Sequence, residues 1–208
     1  MSHDFKHMMR KMMHEDHHEK RSPLSGPCAV GKAAPDFDME AVMPGGDGED
    51  RFGRIALKEI MDSGRWTVLY FYPRDFTFVC PTEIRRFNQS YPKFKEMNAE
   101  VVAVSTDSPY VHLKWQETDL GLLDHPHASD PSGRVSLAYG VLVPEEGLSL
   151  RGTFIIAPDG TLYSYSINHS GVGRSVDEVL RLLEASQAAA AGKLMPCEWH
   201  PGEKALNE

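Results

Sequence analysis

Three cysteines stand among the 208 residues, and one of them occupies a position where a thiol can become a nucleophile. Cys80 comes seven residues after Pro73, which closes the β-branched and aromatic run TVLYFYP at 67–73, and Pro81 after it opens a helical pattern. This spacing places the sulfur at a strand-to-helix junction, near a helix N-terminus. Free backbone N–H groups and the positive end of the helix dipole favour a thiolate there. Thr77 lies three residues upstream, within one helical turn, so its hydroxyl can face the sulfur. A hydroxyl donates to one atom and accepts from another, which suits a substrate carrying both an O–H and a second oxygen. A free cysteine is more often an inert core residue, and that is the expectation for Cys28. Cys197 and His200 have metal-like spacing, but one pair is too few for a zinc site.

The elements that must position Cys80 are legible on either side of it. Residues 67–73, 100–106 (EVVAVST) and 152–158 (GTFIIAP) are continuous apolar runs, the pattern of strands buried on both faces. Residues 161–167 (TLYSYSI) give a further strand, joined to the one before by Pro158-Asp159-Gly160. That turn chemistry predicts an antiparallel hairpin. A short strand is predicted at 52–57 and a loop at 43–50 (MPGGDGED), whose glycines lack the Gly-Lys-Ser/Thr of a phosphate cradle. Ile84, Phe87, Tyr91 and Phe94 recur at three and four, predicting a helix over 81–98 with a kink or break at Pro92. A second helix is predicted over 109–118, capped by Ser108, and a third over 175–191, where Ser175 and Glu178 form a capping box. Strands alternating with helices imply a mixed α/β sheet flanked by helices.

Composition narrows the function classes. A net charge of −8 argues against a nucleic-acid binder. No run of 18 apolar residues is present, so no membrane-spanning helix is expected. Three cysteines are too few for a disulfide-stapled secreted scaffold. Five of the ten histidines and five of the ten methionines fall within residues 1–27, which read as a flexible tail ahead of a domain at 28–208. Imidazole and thioether both ligate copper or zinc, and His14 with His17 or His18 has helical spacing for two ligands on one face. The blander reading, a solvated terminus, is the expectation. The tail lacks the apolar stretch of a secretory signal.

The segment PRDFTFVCPTE at 73–83 resembles the active-site motif of the typical two-cysteine peroxiredoxins, the alkyl hydroperoxide reductase C group. The pattern Pro-x₃-Thr-x₂-Cys is specific to peroxiredoxins. Residues 139–160 (YGVLVPEEGLSLRGTFIIAPDG) are similar to the family's arginine-bearing segment, and 171–185 (GVGRSVDEVLRLLEA) to its last core helix. The likeness covers about 28–202. It implies a thioredoxin-like fold with a C-terminal extension and thiol-dependent reduction of peroxides. It marks Cys80 as the peroxidatic cysteine, Thr77 as the holder of peroxide and thiolate, and Pro73 as a shield of the pocket. Arg151 would stabilise the thiolate and the peroxide oxygens, with Glu83 and Arg174 positioning it. Arginine suits the task because it keeps its charge and offers a planar fork of donors.

The resemblance further implies that a second cysteine, from a partner subunit, condenses with the sulfenic acid on Cys80. Cys197 is the candidate, although family members carry cysteine directly before the proline, where Met195 stands here. Dimers and decamers, a cytoplasmic setting, and recycling by thioredoxin or a flavoprotein disulfide reductase are implied as well. No haem, flavin or metal motif is present, so no cofactor is expected. Residues 117–127 lack the family's paired glycines and the chain lacks its C-terminal aromatic pair, so resistance to over-oxidation is expected. Three other readings compete. A disulfide reductase is weakened by the lack of any Cys-x-x-Cys. A ring-forming holdase chaperone or redox-signalling scaffold, with peroxidase activity secondary, follows from the family's assembly habit. A metal-handling protein would be led by the tail.

Overall fold

A computed structural model describes residues 28–207. Its centre is a seven-stranded mixed sheet in the order β2-β1-β5-β4-β3-β8-β9, built from β1 (Asp38–Val42), β2 (Phe52–Ala56), β3 (Trp66–Phe71), β4 (Ala99–Ser105), β5 (His127–Ser129), β8 (Arg151–Ile156) and β9 (Leu162–Asn168). β6 (Leu142–Val143) and β7 (Leu148–Ser149) form a separate antiparallel pair. The helices are α1 (Leu57–Asp62), α2 (Cys80–Glu96), α3 (Pro109–Trp115), α4 (Arg134–Ala138) and α5 (Val176–Ala190). β3, β4 and β5 run parallel, while β8 lies antiparallel to β3 and β9 antiparallel to β8.

The central strands are buried along their whole length, as continuous apolar runs require. Their side chains alternate between two cores. Val68, Tyr70 and Tyr72 face Ile84, Phe87 and Phe94 of α2 and Val179 and Leu183 of α5. Leu69 and Phe71 face the other side, with Leu57 and Ile60 of α1, Tyr139 and Phe154. Helices therefore cover both faces of the sheet, as the sequence pattern implies.

Several expected boundaries shift. The helix predicted at 81–98 begins at Cys80 itself and runs to Glu96 without a break at Pro92. Phe87, Tyr91 and Phe94 bury on both sides of the proline, and that packing outweighs the lost hydrogen bond. The helix predicted at 109–118 divides: α3 ends at Trp115 and a π-helical turn continues over Gln116–Leu120. Ser108 caps α3 by accepting from the Val111 N–H at 3.4 Å. At α5 only half the capping box forms. Ser175 accepts from the Glu178 N–H at 3.3 Å, whereas the Glu178 carboxylate binds the Arg181 guanidinium. The strand predicted at 52–57 yields its last residue, Leu57, to α1. The 43–50 loop ends in a 3₁₀ turn at Gly48–Arg51. The hairpin forms as expected, closed by the Gly160 N–H donating to the Ala157 carbonyl at 2.9 Å with Gly160 at φ +83°. β1 and β5 have no apolar run to announce them.

Candidate active site

Topology brings the site residues together at the end of β3. The chain leaves β3 at Phe71, passes through Tyr72–Val79 and enters α2 at Cys80. β8 begins where β3 ends: Thr153 pairs with Tyr70, so Arg151 stands beside the loop. Arg174 lies just ahead of the Ser175 cap of α5. Cys80 is 1% exposed, as the first residue of a 17-residue helix with Pro81 next and Glu83 in the first turn.

The Arg151 guanidinium, 3% exposed, donates from Nη1 to the Cys80 sulfur at 3.4 Å and to Glu83 Oε2. Its Nε donates to the Ser170 carbonyl at 2.7 Å. Glu83 accepts from both arginines. Arg174 donates to Oε1 from its backbone N–H and its Nε, each at 2.8 Å, and to Oε2 from Nη2 at 3.0 Å. Arg174 Nη1 reaches the carbonyls of Phe71 and Gly152, both at 2.8 Å. Its guanidinium also stacks over the Tyr70 and Phe87 rings, 5.2 and 5.8 Å from their centroids. Burial pushes the Glu83 carboxyl up, but the hydrogen bonds and charges of Arg174 and Arg151 outweigh it, and the group sits below its ordinary range. Two guanidiniums against one carboxylate leave one positive charge directed at the sulfur. A negative sulfur, or negative charge on an oxygen beside it, would balance the cluster.

The loop itself is tightly held. Pro73 is buried. The Thr77 hydroxyl donates to the Arg74 carbonyl at 2.9 Å, rather than facing the sulfur as the spacing suggests. Phe76 adopts φ +54°, a left-handed conformation costly for a bulky side chain. Its neighbour Asp75 is anchored at three atoms. The Asp75 N–H donates to the Asp107 carboxylate at 3.0 Å, Oδ1 accepts from the Tyr72 hydroxyl at 2.5 Å, and Oδ2 lies 2.7 Å from His112 Nδ1.

Sequence reasoning missed this anchor: Tyr72 and Asp75 share the loop after β3, but His112 comes from α3 and His127 from β5, and no motif links those histidines to that loop. A chain holding three histidines within sixteen residues, His112, His125 and His127, was the available signal. One ligand atom each from Asp75, His112 and His127 lies within 4.8 Å of the others, a donor set that could hold a metal. Those donors are already engaged: His112 Nε2 faces the Ala128 carbonyl, His127 Nδ1 faces Gln116, and His127 Nε2 contacts the Tyr72 hydroxyl. The two rings also stack at 3.8 Å with 16° between planes, so their in-plane lone pairs run side by side rather than converging. Burial first, then electrostatic repulsion from His112, His125 and Arg51, drives His127 well below the ordinary histidine range.

The other candidates stand apart. Cys197 is exposed beyond α5. Cys28 is half-buried, and burial raises its thiol, which fits a bystander. His14, His17 and His18 lie outside the described residues.

Comparison with known proteins agrees with this arrangement. The model of the AhpC/TSA family matches residues 30–165. Peroxiredoxin tpx1 of Schizosaccharomyces pombe is 45% identical over 184 residues, covering 86% of this chain and 92% of that protein. The mitochondrial thioredoxin-dependent peroxide reductase of Drosophila melanogaster is 45% identical over 186 residues, covering 86% of this chain and 76% of that one. The reduced 2-Cys peroxiredoxin of Plasmodium vivax superposes with a TM-score of 0.80 at 37% identity, over 86% of this chain and 93% of that one. The sheet and its flanking helices are thus the thioredoxin-like arrangement of peroxiredoxins. With a thiol at a helix N-terminus, a guanidinium on its sulfur and these relatives, the chain belongs to the AhpC/TSA family, as a two-cysteine peroxiredoxin of the AhpC group.

Proposed function

We propose that Cys80 is the peroxidatic cysteine of this thiol-dependent peroxidase and that its substrates are hydrogen peroxide and organic hydroperoxides. One observation carries the assignment: the buried Arg151 guanidinium sits on the Cys80 sulfur while Glu83 and Arg174 hold it in place. The Cys80 thiolate attacks one peroxide oxygen and the O–O bond breaks. Sulfenic acid remains on the cysteine, and the leaving oxygen takes up a proton as water or alcohol. Charge builds on that leaving oxygen, where preplaced donors stabilise it without reorganisation. Arg151 is one such donor. Thr77 is the second, once its hydroxyl turns from the Arg74 carbonyl to the substrate, and Pro73 shields the pocket.

Cys197 of a partner subunit then condenses with the sulfenic acid, forming a disulfide and releasing water. Cys80 is buried and Cys197 exposed, so the start of α2 and the segment holding Cys197 both rearrange before the sulfurs bond. The outer edge of β9, with Tyr165 and Ile167 exposed, suits pairing with a second copy, and a decamer built of five such dimers is the assembly we expect. A thioredoxin-type or flavoprotein dithiol reduces the disulfide. Among the described residues no helix is long and apolar enough to cross a membrane. We place the enzyme in the cytoplasm, without nucleic acid or membrane as partner. Within residues 1–27, His14, His17 and His18 could take copper or zinc. The names of the relatives favour the peroxidase over a primary holdase or scaffold role.

The test is peroxide consumption by the reduced protein coupled to a thioredoxin system. Cys80→Ser abolishes it; a serine variant with full turnover would sink the assignment.

A further inference from the structure

Beyond α5 the chain closes on itself. The Leu194 N–H donates to Asn207 Oδ1 at 2.9 Å, the Leu206 N–H to the Leu194 carbonyl at 2.9 Å, and Asn207 Nδ2 to the Gly192 carbonyl at 2.9 Å. Within this loop Trp199 is 5% exposed, and its Nε1 donates to the Glu203 carbonyl at 2.9 Å. The His200 N–H donates to the Glu203 carboxylate at 2.7 Å. A side chain of α5 bonds the loop to the helix through the Trp199 carbonyl. Arg181 Nη1 donates to it at 3.1 Å, while its Nε and Nη2 fork onto the Glu178 carboxylate, both at 2.7 Å. The fork fixes the guanidinium plane, so the remaining nitrogen is aimed rather than free. Cys197, exposed, lies two residues before that anchor. Between them Glu198 adopts φ +59°, the left-handed region that a residue with a Cβ enters only under constraint.

We propose that Arg181 is a positioning residue for the second half of the reaction: a latch that sets how fast the loop releases Cys197 to the sulfenic acid on Cys80. The idea rests on Cys197 being the resolving cysteine. The chemical step is unchanged: the Cys197 thiolate attacks the Cys80 sulfur, the S–O bond breaks, hydroxide leaves and is protonated to water, and one S–S bond forms. The latch acts before it. Docked, the loop keeps Cys197 at a fixed place; resolution requires it to move. Arg181 and the buried Trp199 favour docking, whereas the left-handed Glu198 opposes it, because any residue escapes that strain once the loop opens. Two neighbouring features thus pull in opposite directions on one equilibrium. The burial of Trp199 gives the equilibrium an intrinsic reporter.

The prediction has opposite signs at the two positions. In the full chain, reduced protein is mixed with one equivalent of hydrogen peroxide, quenched with a thiol-blocking reagent at intervals, and the Cys80–Cys197 disulfide is quantified by mass spectrometry. Arg181→Met forms the disulfide about tenfold faster, the loss of one charge-assisted hydrogen bond. Arg181→Lys falls between the two, because it keeps the charge without the fork. Glu198→Gly, which removes the strain of the docked form, slows it several-fold. The rate of the first oxidation, read from peroxide loss, is the same in all. The peroxide dose that converts Cys80 to sulfinic acid rises with Arg181→Met and falls with Glu198→Gly. Equal disulfide rates in wild type, Arg181→Met and Glu198→Gly would overturn the latch, as would shifts of the same sign at both positions. Cys197→Ser separates this from the reading beneath it: if a Cys80 disulfide between subunits still forms without Cys197, the resolving assignment is wrong, whatever the latch does.

Discussion

At the end of β3, two guanidiniums share the Glu83 carboxylate in a nearly dry setting, and the uncancelled charge faces the Cys80 sulfur. That geometry makes shape as important as charge. Arg151→Lys keeps the charge but cannot bind sulfur, Glu83 and the Ser170 carbonyl from one plane. Its kcat/KM for peroxide should fall by about 10²-fold, the usual cost of one transition-state donor. Glu83→Gln removes the anion that two buried guanidiniums share. It should destabilise the fold by about 3–5 kcal/mol at neutral pH, measurable by denaturant unfolding. The sign of its pH dependence follows from the depressed carboxyl. A carboxyl held below its unfolded value adds stability that is present above about pH 4.3 and lost as pH falls through its folded value. Wild type should therefore lose this contribution only in acid, and the glutamine variant should lack that acid-linked loss.

At the scale of elements, the segment feeding β5 carries an unusual burden. His125 is fully buried, its Nδ1 close to the Pro126 carbonyl at 3.1 Å and its Nε2 without a partner among the described residues. Desolvation lowers it from 6.5 to about 4 despite that hydrogen bond and Asp124. A histidine depressed in this way binds its proton more readily when unfolded. Stability from it is complete above about pH 6.5 and drains away as pH falls toward 4. Between pH 7 and pH 5 the loss should be about 2 kcal/mol. His125→Leu should flatten that part of the profile in urea unfolding at the two pH values; an unchanged slope would show that His125 does not remain neutral. Capping is a smaller lever. Ser175→Ala should cost about 1 kcal/mol, because Glu178 is committed to Arg181 and cannot substitute for the lost acceptor.

For the molecule as a whole, the proposed cycle needs two copies. Non-reducing electrophoresis after peroxide should show a covalent dimer that disappears in Cys80→Ser and in Cys197→Ser. Residues 117–127 carry no paired glycines, and on that ground we propose an enzyme that resists over-oxidation. Intact-mass measurement across graded peroxide should find disulfide dominating at modest dose; a dominant sulfinic acid on Cys80 would contradict this. Deleting residues 2–27 should leave peroxide turnover intact and remove any copper or zinc binding.

Much of this was legible in order along the chain. The buried runs at β3, β4 and β8, the hairpin at Gly160, the apolar faces of α2 and α5 and the Cys80 motif are local signals. Each is written within one element by periodicity, turn chemistry or a contiguous pattern. The sequence by itself thus determined the fold class, the family resemblance and the cysteine we propose as nucleophile. Only the tertiary structure decided what surrounds that cysteine. For Arg151 and Arg174, periodicity and spacing show no partner; the family resemblance alone singles them out, and laying β8 against β3 draws both onto Glu83. The anchor of Asp75, the continuity of α2 through Pro92, the Thr77 hydroxyl on Arg74 and the Arg181 contact with the Cys197 loop were likewise invisible. Their cause is physical: buried polar groups must find partners, and those partners are chosen by proximity in three dimensions, which no spacing along the chain records.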